Sequence, residues 1–160
     1  MSALRIRPLA PSDWEAVASI YADGLANGVA SFETDVPSWD DWDAGHLGAA
    51  RMVAERDGVV VGWLAVSPVS RRECYRGVVE DSVYVADEAR GSGVGRALLE
   101  RLVAEAPMHG FWTIQTSIIA SNAASLALHA AVGFRVVGRR ERIAQRDGAW
   151  HDTVLLELRL

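Results

Sequence analysis

The chain has 160 residues, half of them hydrophobic, with 16 basic against 21 acidic side chains and a formal charge of −5. That length supports one full core and leaves little for a second, while the acidic balance and the lack of any basic block argue against a nucleic-acid surface and point to small-molecule partners. Every basic residue is arginine, the lone Cys74 excludes an internal disulfide and a cysteine-based zinc cluster, and His46, His109, His129 and His151 lack metal-ligand spacing. No metal is expected, no run reaches the apolar length of a membrane span or an export signal, and the expected compartment is the cytoplasm.

Leu4 to Pro8 alternates apolar and charged residues as a short first strand. Ser12-Asp13-Trp14-Glu15 reads as a capping box opening a helix that carries Trp14, Val17, Ala18, Tyr21 and Leu25 on one face and stops between Gly24 and Gly28. Ser38-Trp39-Asp40-Asp41 starts a short acidic helix reaching about Gly48. Arg51 to Arg56 and Val59 to Val66 are apolar, strand-forming runs joined by Asp57-Gly58, a hairpin signal. Arg71, Arg72 and Arg76 concentrate fixed positive charge just before a strand predicted over Tyr75 to Val85, with Cys74 read as a small core residue beside them.

The segment after that strand is the most informative. Arg90-Gly91-Ser92-Gly93-Val94-Gly95-Arg96 followed by Ala97-Leu98-Leu99 reads as a glycine loop running into a helix, predicted from Gly93 to Ala106 with Leu98, Leu99, Leu102 and Val103 buried. Glycines let backbone N–H groups approach a bulky anion, and the helix aims its positive dipole end at the same place, so a phosphate-bearing cofactor is the natural ligand. Arg96-Ala97 stands where a nucleotide-triphosphate loop needs lysine and a hydroxyl, and Arg96 also replaces the third glycine of a dinucleotide fingerprint. A plain helix-capping turn is the competing reading of the glycines alone.

Thr113 to Ile119 is the next strand; Ser121-Asn122 caps a helix to about Val132, closed by Gly133, and Phe134 to Ile143 pairs with Trp150 to Leu158 across Asp147-Gly148. The six tryptophans look scattered, suiting separate packing roles. The order β-α-α-β-β-β-α-β-α-β-β is an α/β domain with a mixed sheet.

That order, with Arg90-x-x-Gly93-x-Gly95, Asn122 and Val132-Gly133-Phe134, resembles the GNAT (acyl-CoA N-acyltransferase) superfamily over essentially the whole chain, residues 1–160 as one N-acetyltransferase domain. Ala30-Ser31-Phe32-Glu33, Tyr75-Arg76, Val79 to Val85 and Trp150-His151-Asp152 are most similar to its phosphinothricin and methionine sulfoximine acetyltransferase branch. The resemblance implies a mostly antiparallel mixed sheet flanked by helices, acetyl-CoA as co-substrate, a small amino acid acceptor and a homodimer with acceptor sites near the interface. Another amine acceptor, a peptide N-terminus or a polyamine, is the alternative within the fold; a non-catalytic acyl-CoA sensor is the alternative outside enzymes.

Carried onto these residues, the resemblance implies that pantetheine lies along Val83, Tyr84 and Val85. The pyrophosphate then meets Arg90, Gly91, Ser92, Gly93, Val94, Gly95 and Arg96, and Asn122 and Ser125 contact the cofactor. Phe32, Glu33, Arg72, Tyr75 and Arg76 line the acceptor pocket. Attack of an amine on a thioester needs a base, and Glu80, an acid in an apolar strand, is the candidate, against the plainer reading of a solvated or arginine-paired carboxylate. Asp81 next to it is expected on the opposite sheet face, outside the site. His129 stands where many relatives place a tyrosine that protonates the leaving thiolate; it is read either as that acid or as a packed helix residue.

Overall fold

The computed structural model describes residues 2–160. Among these residues seven strands form one sheet in the order β1-β2-β3-β4-β5-β7-β6. These are β1 (Arg5–Pro8), β2 (Met52–Arg56), β3 (Val59–Pro68), β4 (Val78–Val85), β5 (Thr113–Ile119), β6 (Arg135–Arg146) and β7 (Ala149–Arg159). The helices are α1 (Trp14–Ala26), α2 (Trp39–Gly45), α3 (Val94–Glu105) and α4 (Ala123–Val132). The order of elements matches the sequence reading, and both Asp-Gly hairpins form: Asp57 and Gly58 have φ of 52° and 77°, Asp147 and Gly148 of 52° and 76°. Positive φ at both central residues gives a turn whose twist matches the strands it joins.

Alternate residues of β3 send the chain's two halves to opposite faces. Trp63 meets Tyr21 of α1, with ring centroids 5.5 Å apart, whereas a Cβ on Gly62 would meet Val94 and Leu98 of α3 at 2.8 and 3.3 Å. Leu98, Leu99 and Leu102 are fully buried there, each worth roughly 2 kcal/mol in area removed from water. The tryptophans are less scattered than they look: Trp14, Trp39, Trp42 and Trp63 form one connected cluster, and Trp63 stacks on Tyr84 at 4.9 Å. Sequence spacing cannot show this, because the rings come from α1, α2 and β3 and meet only in the fold.

Four local expectations change. Ser12 does not cap α1; a short 3-10 turn over Pro11–Asp13 precedes the helix, and Asp13 turns back to accept from the Ala10 amide at 2.8 Å and from the two terminal nitrogens of the Arg7 guanidinium. The strand predicted from Tyr75 starts at Val78, because Glu73–Tyr75 forms another 3-10 turn closed by Tyr75 N–H to Arg72 O and Arg76 N–H to Glu73 O. Cys74 on that turn is exposed and is not a core residue. The short acidic helix ends at Gly45, where Arg51 gathers the Asp43, His46 and Leu47 carbonyls.

The only parallel pairing among the described residues sets up the site. β4 and β5 share three rungs, Val78↔Thr113, Val79↔Ile114 and Glu80↔Gln115, and then diverge. Beyond them β4 continues on β3 as far as Val85↔Gly62, and β5 on β7 as far as Ile119↔Thr153.

Candidate active site

A cavity of about 820 Å³ occupies the gap between the diverging strands. Its walls are Glu80 to Val85 of β4, Thr116 to Ile119 of β5, the Asn122 to His129 side of α4, the glycine loop, and Val29 to Phe32 from the α1–α2 connection.

The glycine loop closes one end. Gly91 and Gly93 have φ of 71° and 88°, conformations costly for other residues, and a Cβ at either would meet no atom within 4 Å, so the loop backbone is open on that side. The first helical bond of α3 runs from Ala97 N–H to Gly93 O, leaving the Val94, Gly95 and Arg96 amides ahead of it at the helix N-terminus. That donor set fits a pyrophosphate. Gly95 has a different role: its Cα packs at the α3–α4 contact, where a Cβ would lie 3.0 Å from Leu128. The Ser92 hydroxyl donates to Ala89 O within the loop, and Arg90 and Arg96 pair at the surface with Asp87 and Glu100 at 3.1 and 2.8 Å.

Glu80 sits at the point of divergence. Burial pushes its carboxyl above the ordinary range, partly opposed by the Ser117 backbone amide and the Gln115 side chain and reinforced by the neighbouring Asp81 charge. An elevated carboxyl of this kind is suited to accept a proton near neutral pH.

Asp81 does take the opposite face, as strand alternation requires, yet it lines the same cavity. The separation of β4 from β5 opens both faces to one space, which regular sheet geometry would not allow. Asp81 Oδ2 lies 2.9 Å from His129 Nε2, with both side chains at most 2% exposed. Asp81 Oδ1 is enclosed and meets no protein donor. The other ring nitrogen, Nδ1, is 2.8 Å from the Ser125 carbonyl one helical turn back, and Phe134 meets the ring edge-on at 4.9 Å. Burial alone would lower the proton affinity of the imidazole, but the hydrogen bond and charge of Asp81, helped by the Ser125 carbonyl, outweigh it and raise the His129 pKa above its ordinary value.

Ser125 Oγ is also 3.4 Å from His129 Nδ1, so serine, histidine and aspartate lie in line. They do not form a nucleophilic triad. Because a carbonyl can only accept, Nδ1 carries a proton and cannot take one from the hydroxyl.

Asn122 has both ends of its side chain in use: Oδ1 accepts from Ser125 N–H at 3.1 Å, capping α4, and Nδ2 donates to Val29 O at 3.3 Å. Arg146 of β6 binds the Gly28 and Ser31 carbonyls and lies 5.6 Å from the Phe32 ring, so two distant residues pin the loop that carries Phe32.

Of the residues read from the sequence, Phe32, Glu80, Val83, Tyr84, Val85, Arg90, Gly91, Gly93, Val94, Gly95, Arg96, Asn122, Ser125 and His129 line the cavity. Ser92, Glu33, Arg72, Tyr75 and Arg76 do not, and the last four are exposed. Trp150 is exposed, and His151 packs edge-on against Phe32 at 5.7 Å. As site residues the sequence reading missed Asp81, Arg146 and Thr116. Only Asp81 left a signal, a second acid in an apolar strand. Among the described residues no group of three His, Cys, Asp or Glu side chains could hold a metal ion, and no helix is long and apolar enough to cross a membrane.

A mixed sheet opened between two parallel strands, with a glycine loop and helix N-terminus at one end of the opening, is the architecture of acyl-CoA-dependent N-acyltransferases. The Acetyltransferase (GNAT) family model matches residues 14–134, and the chain belongs to this family. It is 37% identical over 162 residues to phosphinothricin N-acetyltransferase of Alcaligenes faecalis, covering 97% of this chain and 82% of the relative. It is 32% identical over 161 residues to L-methionine sulfoximine/L-methionine sulfone acetyltransferase of Pseudomonas aeruginosa, covering 97% of this chain and 94% of the relative. A crystal structure of a phosphinothricin acetyltransferase from Sinorhizobium meliloti in complex with AcCoA superposes with a TM-score of 0.89 at 32% identity, covering 100% of this chain and 89% of that one.

Proposed function

We propose that the protein moves the acetyl group of acetyl-CoA to the α-amino group of a small amino acid of the phosphinothricin, methionine sulfoximine or methionine sulfone type. The reading rests on one observation above the others: a raised, half-buried carboxyl, Glu80, stands in the same strand gap that an anion-binding loop closes at its far end. The named relatives support the acceptor class.

The backbone amides of Gly91 to Arg96 hold the pyrophosphate of the co-substrate, and the unpaired edge of β4 along Val83 to Val85 receives the pantetheine amides as a neighbouring strand would. Asn122 and Ser125 flank that arm from α4. When bound, acetyl-CoA supplies an activated acyl group. Glu80 takes the proton that the attacking amine must lose, directly or through water. His129 returns a proton to the departing thiolate. Transfer is direct, within a ternary complex: Ser125 has no base, and Cys74 lies outside the cavity.

The acceptor enters beside Phe32. Glu33, Arg72, Tyr75 and Arg76 act on its charged ends where a second copy of the chain brings them to the mouth. Val136, Ile143 and Trp150, at 62%, 53% and 50% exposure on the β6–β7 edge, favour such a homodimer. The exposed free thiol of Cys74 suits the reducing cytoplasm.

Thiol release from acetyl-CoA tests the function against a panel of amino acids, peptides and polyamines. Release with phosphinothricin or methionine sulfoximine and not with peptides supports it. Acetyl-CoA binding by calorimetry without release for any acceptor identifies a sensor instead.

A further inference from the structure

The pair formed by Asp81 and His129 holds more information than a packed histidine requires. Nε2 faces a carboxylate oxygen at 2.9 Å and Nδ1 faces a carbonyl oxygen at 2.8 Å. A carbonyl accepts only, and an ionised carboxylate accepts only, so a neutral imidazole, which has one N–H, can satisfy just one of them. The Asp81 contact is fully enclosed and the Ser125 contact partly so, and an unmet acceptor on the Asp81 side goes uncompensated by solvent. An imidazolium against an ionised Asp81 fills both ring contacts, leaving Asp81 Oδ1 without a protein donor; a neutral ring accepting from a protonated Asp81 would fill them too, but a carboxyl is ordinarily the far stronger acid and yields that proton to the ring. The pair is also placed for use: both residues line the cavity, immediately beside Glu80 and across the strand gap from Thr116.

We infer that Asp81 is a positioning residue that keeps His129 doubly protonated at the floor of the cavity, making it a stored proton for the thiolate released by acetyl transfer. The inference deepens the function proposed above and rests on it for the reaction step. In that step the Nε2–H bond breaks and an S–H bond forms on the departing coenzyme A sulfur, while Nδ1 keeps its proton on the Ser125 carbonyl. The ring is left neutral beside an ionised Asp81 whose Oδ2 has lost its donor. A proton from the ammonium of the next acceptor or from solvent then restores the pair, so no co-reactant is needed. The charged groups bearing on the pair are few: Glu80 alongside on β4, itself within reach of Arg140 from β6, while α4 contributes only Ser125 and the turn before β6 only the Phe134 ring.

Asp81→Asn is the informative change, because its amide can donate to Nε2 where the carboxylate accepted. It keeps the contact and forces the neutral tautomer with hydrogen on Nδ1. The readout is the nitrogen and proton shifts of the imidazole in protein labelled at histidine, with the His129 signals assigned from a His129→Gln variant. In the parent, both ring nitrogens carry protons at about pH 7.5, above the ordinary imidazole range; in Asp81→Asn only Nδ1 does. Turnover in Asp81→Asn falls by on the order of 100-fold, with the KM for acetyl-CoA held within about twofold and the alkaline limb of the kcat profile moved to lower pH. A parent ring with a single proton at that pH overturns the inference whatever the variant does. So does a variant with parental turnover and an unchanged pH profile. If the protein transfers no acetyl group at all, the functional proposal fails while the ring measurement still decides the state of the pair.

Discussion

Glu80 of β4 and Gln115 of β5 face each other across the last rung before the two strands separate. The rung fixes the Glu80 backbone on both sides, through Ser67 of β3 as well as Gln115, while its side chain stands at the mouth of the opening. A group held this firmly and desolvated this far is prepared for proton transfer before any substrate arrives.

Replacement of Glu80 by Gln is expected to lower kcat by on the order of 10² to 10³ and to leave acetyl-CoA affinity by calorimetry unchanged. In the parent, kcat/KM rises with pH through the Glu80 pKa, above the ordinary carboxylate range, and this acid limb disappears in the variant. The stability effect runs the other way. A carboxyl whose pKa is raised by folding favours the folded state at low pH and loses that contribution as pH rises through the folded value, so at neutral pH Gln removes a buried charge. Glu80→Gln should therefore unfold at equal or higher temperature than the parent, a gain of up to about 1 kcal/mol. A clear loss of stability at pH 7 would contradict the desolvated environment.

The loop glycines separate conformational strain from packing. Gly93→Ala places a Cβ in open space but at φ of 88°, which costs about 1–2 kcal/mol and displaces the amides around it. Gly95→Ala keeps an ordinary backbone and meets Leu128 at 3.0 Å. Urea titrations should show both variants destabilised. Calorimetry should show the larger loss of acetyl-CoA affinity for Gly93→Ala together with Gly91→Ala, and equal losses in all three would argue against the loop as the anion site.

Arg146→Ala releases the Gly28 and Ser31 carbonyls and the face of Phe32 together. Steady-state kinetics should then show the acceptor KM rising roughly tenfold, about the worth of one hydrogen bond to a charged group, with the KM for acetyl-CoA nearly unaltered. A change confined to acetyl-CoA would mean that the loop serves the other substrate.

Asp13 is the main acid-sensitive latch outside the site. Its hydrogen bonds from Arg7 hold its carboxyl below the ordinary range, so the contribution to stability is present above pH 3.8 and is lost as pH falls through the folded value. Asp13→Asn should cost about 2 kcal/mol at neutral pH, since the half-buried Arg7 loses its bidentate partner. The cost should shrink progressively as pH falls below 3.8 toward the folded value, which urea unfolding at neutral and at acid pH measures.

What the sequence made legible was local. Ser38 and Asn122 each cap the helix that follows through a side-chain oxygen, the Asp-Gly pairs turn two hairpins, and β5 begins and ends where its pattern predicts. Expectations failed where a partner outside the element decided the outcome. Asp13 was drawn from its helix by Arg7, and Asp81 acquired meaning only from His129, 48 residues away. The face assignment of Asp81 was correct; the mistake lay in treating the sheet as continuous, and no periodicity within β4 reports that β5 leaves it after Glu80. Arg146 was invisible for the same reason, lying 115 residues from Ser31.

The three shared rungs of β4 and β5 make the sheet two leaves bound along a short spine, one of four strands and one of three. Main-chain groups along the inner margins have no hydrogen-bonded neighbour strand across the gap, so a bound molecule with amides at suitable spacing becomes part of the scaffold as well as a reactant. At a hundred times its dissociation constant such a molecule adds about 2.7 kcal/mol to the whole protein. Amide exchange along those margins should slow on saturation well beyond the residues it touches, because the leaves then open as one cooperative unit.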